Sequence, residues 1–254
     1  MRWHARDVNV SSVVELRQYR LIPGKREILI DLFEAHFVEG QEAAAMTIIG
    51  TFRDLDDENR FVWLRGFAGT DARARNLAAF YHGPVWQHHR DAANSTMADS
   101  DDVLLLRPAR NNGGFALAGQ RPPPEARASV DRGVIEATIL NFATQPGDEA
   151  IAYFDQEVAP RVAAAGAAVR ALLATEYSAN NFPALPVREG GHVLAWFAAY
   201  PDHAAYDASR HARGEITHAA TGAPRLSAAP HVLRLAPTRR SQLTGQAPTA
   251  GDGR

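Results

Sequence analysis

The chain has 254 residues, with Lys+Arg 27 against Asp+Glu 29, a formal net charge of −2 and no cysteine. The balanced charge argues against a basic face for nucleic acid, and the lack of cysteine excludes disulfides, zinc–thiolate sites and thiol nucleophiles. The longest apolar stretches are only strand-sized, and residues 1–12 lack the apolar core of a secretory signal. We therefore expect no nucleic-acid partner, no membrane partner and a cytoplasmic location.

The first half of the chain reads as strand, helix, strand, strand, helix, strand. Pro23-Gly24 separates the first strand from an amphipathic helix, and the polar residues 54–60 join two strands as in a hairpin with a long loop. The expected strands lie at residues 13–22, 46–52, 61–67 and 103–106, and the expected helices begin near Gly24 and Thr70.

The second half repeats this order about 120 to 130 residues later, which indicates a duplicated unit. The recurring landmarks are Glu15 and Glu136, Pro23-Gly24 and Pro146-Gly147, and Asp71 and Asp202. The expected strands lie at residues 134–142, 171–177, 192–199 and 232–235, and the expected helices begin near Gly147 and Pro201. Pro160 should kink or restart the first of these helices, because proline lacks a backbone donor.

A β-α-β-β-α-β order is that of the ferredoxin-like motif. Its sheet has one open face, and two such sheets facing each other cover both. The predicted fold class is therefore α+β, with two ferredoxin-like repeats in one pseudo-dimeric barrel. The expected boundaries are a first repeat at 13–108, a linker at 109–130, a divergent second repeat at 131–238 and a disordered tail at 239–254.

Three separated motifs in the first half resemble the NIPSNAP domain of the dimeric α+β barrel superfamily. They are Glu15-Leu16-Arg17-Gln18-Tyr19-Arg20, Trp63-Leu64-Arg65-Gly66-Phe67 and Phe80-Tyr81-His82-Gly83-Pro84-Val85-Trp86. The second half resembles this domain more weakly, with Leu140 at the Tyr19 position and Trp196 near the Arg65 position. The resemblance implies the barrel fold but no single reaction, since related barrels include cofactor-independent monooxygenases, haem enzymes and ligand binders.

Side-chain alternation places Glu15, Arg17 and Tyr19 on one face of the first strand, and Trp63 and Arg65 on one face of the third. Because this polar set packs poorly beneath helices, we assign it to the barrel interior. Such a pocket would suit a flat or apolar ligand with an acidic or carbonyl end. The alternative is that these side chains form ion pairs that fix the sheet. The predicted ligand-binding residues are Arg17, Tyr19, Trp63, Arg65, His82 and Trp86.

Glu15 and Glu136 occupy equivalent positions in the two repeats and are the predicted catalytic acid or base. Glu15 has arginine neighbours and should stay ionised, whereas Glu136 has none on its strands and should have a raised pKa. Because only the first repeat has these arginines, we expect one functional pocket, lined mainly by residues of the first repeat. The long loop between residues 178 and 191 is a candidate lid.

Two groups of histidines, namely His82, His88 and His89 and then His203, His211 and His218, lie near the second helix of each repeat. No pair has the spacing of a metal site, and no glycine-rich phosphate loop or nucleophile elbow is present. We therefore expect no metal and no cofactor.

The sequence as a whole predicts binding of a small apolar or aromatic molecule in the barrel interior. If the protein is an enzyme, metal-free proton transfer or cofactor-independent oxygenation is expected. The competing hypothesis is a non-catalytic binding or assembly protein with a packed barrel. A cavity touching Glu15 would favour the first hypothesis. Homo-oligomerisation stays open.

Overall fold

The computed structural model describes residues 11–117, 121–123 and 131–246. The expectations for most of the N-terminal segment and for the last eight residues of the tail fall outside these ranges. No helix within them is long and apolar enough to cross a membrane.

The first half contains the four strands and the helices that the sequence pattern predicts. Its elements are β1 (Val13–Leu21), α1 (Arg26–Leu32), a π-helical turn (Phe33–Phe37), α2 (Val38–Ala43), β2 (Thr47–Asp54), β3 (Arg60–Phe67), α3 (Thr70–Tyr81), α4 (Pro84–Asn94) and β4 (Met97–Pro108). Gly24 takes a positive φ of 78° in the turn after β1, a conformation that glycine adopts without a steric penalty. Pro84 stands at the start of α4, where its missing N–H costs nothing.

The second half follows the same order. Its elements are β5 (Val134–Asn141), α5 (Asp148–Tyr153), a second π-helical turn (Phe154–Val158), α6 (Ala159–Ala164), β6 (Ala168–Thr175), β7 (Val193–Tyr200), α7 (His203–Ala208), α8 (Arg210–Ala220) and β8 (His231–Pro237). Pro160 lies at the start of α6, so the helix restarts there as expected. Asp202 caps α7 by accepting a hydrogen bond from the Ala205 backbone N–H.

All eight strands form one closed antiparallel barrel in the order β1-β3-β2-β8-β5-β7-β6-β4. Each half supplies four consecutive strands of that order, and the halves join through β2 with β8 and β4 with β6. The seams are short, with three residue pairs in register on each side. The predicted α+β barrel of two facing ferredoxin-like sheets within one chain is therefore confirmed.

The strand register corrects the sequence alignment of the two halves. Arg17 pairs with Trp63 across β1 and β3, and Thr138 pairs with Trp196 across β5 and β7. Trp196 is therefore the counterpart of Trp63 and not of Arg65, whose place across from Glu136 is taken by Ala198. The prediction was wrong by two residues, because it treated Asp71 and Asp202 as equivalent. Asp202 is the N-cap of α7, whereas Asp71 lies inside the first turn of α3.

The barrel interior is filled by apolar side chains from both sheets. The buried set includes Val14, Leu16, Phe52, Val62, Leu64, Leu104, Leu106, Ile135, Ala137, Leu173, Ala195, Phe197, Leu233 and Leu235. Glu15, Arg17, Tyr19, Trp63 and Arg65 point the other way, into the layer between the first sheet and its helices. Their assignment to the interior was wrong, because a partner from α3 and another from α2 satisfy the polar groups beneath the helices.

The linker and the tail also close the barrel. Phe115 packs on Phe197 with ring centroids 4.9 Å apart, and Leu243 joins the same interior core. Arg240 is buried against the first half, where its backbone N–H donates to Glu34. Gly245 lies so close to the Tyr200 carbonyl oxygen that a Cβ would approach it to 1.8 Å. Disorder was thus the wrong expectation for residues 239–246, because Arg240 and Leu243 are buried and Gly245 allows a close backbone approach.

Candidate functional site

Glu15 sits at the centre of a buried charge cluster. Its Oε2 accepts hydrogen bonds from Arg17 Nη1 and Arg65 Nε, each at 2.8 Å, and its Oε1 accepts one from Arg73 Nε at 2.7 Å. The four side chains are at most 1% exposed. We call Glu15, Arg17, Arg65 and Arg73 the Glu15 cluster.

Strand geometry brings the first three members together. Glu15 and Arg17 are two residues apart and share a face of β1, while Arg65 lies directly across from Glu15 on β3. Arg73 comes from α3, on the side that also buries Leu77 and Phe80. Sequence reasoning missed Arg73, although its helical spacing from Leu77 and Phe80 would have placed it on the buried side.

Neutral oxygen atoms and aromatic rings complete the cluster. Tyr19 Oη accepts from Arg17 Nε at 3.0 Å, and Gln41 Oε1 accepts from Arg65 Nη1 at 3.0 Å. The Arg65 guanidinium lies 5.0 Å from the centre of the Trp63 ring, within range of a cation–π interaction. These contacts stabilise the arginines without neutralising them.

The cluster has three positive charges and one negative charge. Arg73 Nη2 and Trp63 Nε1 are buried and have no hydrogen-bond partner among the described residues. Buried charges are normally paired, and buried donors normally have acceptors. The cluster therefore has both an excess of positive charge and two donors without acceptors.

The arginines determine the ionisation of Glu15. Burial alone would raise the pKa of Glu15, but the charges of Arg65, Arg17 and Arg73 outweigh it and hold that pKa well below its usual range. Burial raises the pKa of Tyr19, which therefore stays a neutral phenol at neutral pH. Glu15 is thus a fixed anion, as the sequence predicted, and a poor proton acceptor.

The long loop between β6 and β7 covers this cluster from the other half of the chain. Asn180 Oδ1 and Asn181 Oδ1 accept hydrogen bonds from Arg73 Nη1 at 3.1 and 2.9 Å. Phe182 packs near Tyr81, with ring centroids 6.0 Å apart. The loop thus occupies the position expected of a lid, and its opening stays a prediction.

A surface cavity of about 250 Å³ lies beside the cluster, between this loop and β4. Leu105 lines the cavity and pairs across the strands with Glu15. Tyr177, Ala179 and Arg188 of the loop line its other side. Glu15 itself does not line this cavity, so the expected cavity touching Glu15 is not found here.

His82 and Trp86 lie further out than the other predicted ligand contacts. Trp86 packs against Tyr81 with ring centroids 4.9 Å apart, and the His82 ring lies 6.5 Å from that of Phe182. Both residues therefore border the covered site through Tyr81 or Phe182. Their role in ligand binding stays a prediction.

Glu136 has a separate environment on the helix side of the second sheet. Its Oε2 accepts a hydrogen bond from Tyr206 Oη at 3.0 Å and lies 3.4 Å from Arg213 Nη1. Burial raises the pKa of Glu136, and the hydrogen bond from Tyr206 and the charge of Arg213 only partly oppose it. The predicted difference between the two glutamates therefore has a structural basis, since Thr138 and Ala198 replace the arginines of the first half.

Among the described residues, no group of three or more histidine, aspartate or glutamate side chains is arranged to hold a metal ion. His36 and His89 stack with ring centroids 3.9 Å apart on neighbouring helices, and His88 lies next to His89. Burial and the neighbouring imidazoles of His36 and His88 lower the pKa of His89.

Two ferredoxin-like halves closed into one barrel define a single-chain form of the dimeric α+β barrel. The family model described as NIPSNAP matches residues 14–110. The match lies in the first half of the chain, which contains the three motifs that resemble the NIPSNAP domain.

Solved structures of similar architecture cover nearly the whole chain. A protein described as a "putative monooxygenase" from Lactobacillus acidophilus NCFM is 14% identical, covers 92% of this chain and 98% of its own, and superposes with a TM-score of 0.55. A second protein so described, from Fusobacterium nucleatum, is 7% identical, with coverages of 93% and 98% and a TM-score of 0.54. At these identities the likeness shows the fold alone.

A NIPSNAP family protein from Agrobacterium tumefaciens str. C58 is 23% identical, covers 38% of this chain and 91% of its own, and has a TM-score of 0.36. No curated protein gives a significant match to the chain.

Proposed function

We propose that this protein binds a small molecule with an apolar or aromatic body and an anionic end, and that the Glu15 cluster recognises the anion beneath the β6–β7 loop. The observation that carries the proposal is that three fully buried guanidiniums share a single carboxylate. An anionic group would offset the excess charge, and arginine is well suited to bind carboxylates in a defined geometry.

The donors of the cluster support the same ligand chemistry. Arg73 Nη2 and Trp63 Nε1 are buried without acceptors among the described residues. A carboxylate, enolate or carbonyl oxygen would supply such acceptors, and the cost of leaving a buried donor unpaired is about 1–3 kcal/mol. Aromatic surface from Trp63, Tyr81 and Phe182 would contact the apolar body.

Access to the cluster requires a change in the loop. Asn180 and Asn181 occupy hydrogen-bonding positions on Arg73 that a ligand oxygen could take over. The exchange would replace two neutral acceptors by a charged one, which makes a stronger hydrogen bond. The adjacent cavity beside Leu105 offers space for the body of the ligand.

The same arrangement would support metal-free catalysis. Guanidiniums already held in place by Glu15 stabilise negative charge that develops on a bound carbonyl compound, with no reorganisation at the moment of reaction. Abstraction of a proton from such a compound by a base outside the cluster would leave an enolate, and the guanidiniums would stabilise its negative charge. Glu15 would position the arginines in such a reaction, because its low pKa makes it a weak base.

Calorimetric titration with benzoate, and with neutral benzamide of the same shape, tests the proposal. Benzoate should bind and benzamide should not, because the cluster selects for negative charge. Arg73→Gln should weaken benzoate binding about tenfold or more. Arg75→Gln is the matched control, since Arg75 is exposed on the same helix, and it should bind like the unaltered protein. Equal binding of both compounds, or unchanged binding by Arg73→Gln, would contradict the proposal.

A further inference from the structure

A second cavity of about 250 Å³ opens on the other half of the molecule, where the halves meet. Glu136 of β5, Arg210 and Arg213 of α8 and Arg234 of β8 line it, and Asp56 reaches it from the turn between β2 and β3. It is distinct from the Glu15 cluster, since none of the cluster residues lines it.

Of the cations in the cavity, Arg210 has no carboxylate partner among the described residues, and Arg213 has only Glu136. Arg234 and Asp56 form an ion pair, with Arg234 Nε donating to Asp56 Oδ2 at 2.6 Å, so their charges cancel. Arg210 forms no ion pair within the described part of the chain. Arg213 lies against the Tyr206 ring at 3.7 Å and is only weakly paired with Glu136, at 3.4 Å.

Glu136 provides the third feature of the cavity. The side chain is nearly buried, and both contacts from Tyr206 and Arg213 go to Oε2. Oε1 accepts no hydrogen bond from the described residues, and Glu136 lines the cavity, so Oε1 is available to a bound molecule. The other groups around it are Tyr200 of β7, Tyr206 of α7 and the charged residues already named, and burial raises the pKa of this carboxyl above its ordinary value.

We propose that this cavity is a binding site for a small dianion of the dicarboxylate class, with Arg210 and Arg213 opposing its two charges and Glu136 hydrogen-bonded to one of its carboxylates. Two carboxylates can share a hydrogen bond only when one of them carries a proton. Binding is therefore coupled to the protonation of Glu136. The volume suits a short aliphatic chain, and the polar rim does not favour an aromatic body.

Titration calorimetry with succinate tests this site, in two buffers of different ionisation enthalpy at neutral and at mildly alkaline pH, where succinate is a dianion. Succinate should bind with proton uptake and more tightly at neutral than at alkaline pH, and neutral succinamide should not bind. Arg210→Gln should weaken succinate binding about tenfold or more, and because Arg210 is exposed the change removes no buried packing. Arg75→Gln, outside the cavity, should leave the affinity unchanged.

Glu136→Gln separates a binding role from a structural one. The glutamine amide can still donate a hydrogen bond, so succinate should bind while proton uptake disappears. Three results would each overturn the proposal: no heat from succinate at millimolar concentration, an affinity unaffected by Arg210→Gln, or undiminished proton uptake by Glu136→Gln.

Discussion

At the scale of single residues, Glu15 is the residue on which the first half most depends. Within the described ranges it is the only carboxylate that contacts Arg17, Arg65 and Arg73, and it holds all three in fixed positions. A buried ion pair adds little net stability compared with an apolar replacement, but removal of one partner leaves the others uncompensated. Loss of Glu15 should therefore destabilise the protein much more than loss of a surface carboxylate.

We expect Glu15→Gln to lower the free energy of unfolding by about 3–5 kcal/mol, because three buried cations lose their counter-charge. Chemical denaturation at neutral pH measures this loss. Since the pKa of Glu15 is lowered in the folded state, its contribution is present above the ordinary glutamate pKa of about 4.3 and is lost as the pH falls. The variant should therefore show a flatter acid dependence of stability.

Glu27→Gln is the control for this prediction, because Glu27 pairs with Arg53 at the surface, where such pairs contribute about 0–1 kcal/mol. Equal losses in the two variants would show that Glu15 contributes no more than a surface pair.

The sequence predicts which residues form the candidate site better than it predicts where the site lies in the fold. Strand alternation and motif order bring Glu15, Arg17 and Arg65 together, and they do meet. Their face was predicted wrongly because the rule that polar residues avoid helices ignores partners from other elements. Helical spacing places Arg73 on the buried side of α3. The position of Asn180 depends on how the loop packs, which no local pattern determines.

At the scale of elements, the β6–β7 loop links the halves through the candidate site. Its asparagines contact Arg73, so the second half contributes directly to a cluster built on the first. The two π-helical turns pack on their sheets in equivalent ways. The ring centroids of Phe33 and Trp63 are 4.8 Å apart in the first half, and those of Phe154 and Trp196 are 5.4 Å apart in the second. The apolar pattern predicted a helix in both places but not the wider turn, which depends on packing against the sheet.

Replacement of both Asn180 and Asn181 by alanine should loosen the loop without unfolding the barrel. The change removes two acceptors from Arg73 Nη1, and water can replace them only if the loop moves outward. Hydrogen exchange measured by mass spectrometry should become faster in residues 176–191. The exchange of β1 and β3 should stay slow.

Ser178→Ala is a matched control in the same loop, where Ser178 bonds only to the neighbouring Glu176. It should leave the exchange of the loop close to that of the unaltered protein. If the double asparagine variant exchanges no faster than this control, the contacts with Arg73 do not hold the loop closed.

At the scale of the whole molecule, each sheet depends on the other for burial. Val14, Leu16 and Leu64 of the first sheet face the interior core that also contains Ile135 and Phe197 of the second. Burial of such side chains contributes about 1.5–3 kcal/mol each. The element order and its repetition were sufficient to predict this arrangement, because an open ferredoxin-like sheet has one apolar face to cover.

Residues 1–117 expressed alone should therefore not form a stable monomer. The exposed sheet face and the open edges of β2 and β4 favour pairing with a second copy or aggregation. Sedimentation velocity over a range of concentrations should show a dimer or larger species. A monomer that unfolds cooperatively would show instead that the first half has a sufficient core of its own.

The position of β8 in the barrel has a consequence for the synthesis of the chain. β8 follows the other seven strands of the barrel along the chain, yet it lies between β2 and β5 and is followed by the segment that carries Arg240 and Leu243. Until residues after His231 emerge, the nascent chain has two open strand edges and an uncovered apolar surface, the features that chaperones bind and that promote aggregation. An interruption of translation just before β8 therefore leaves the barrel as open as one in the middle of the second half.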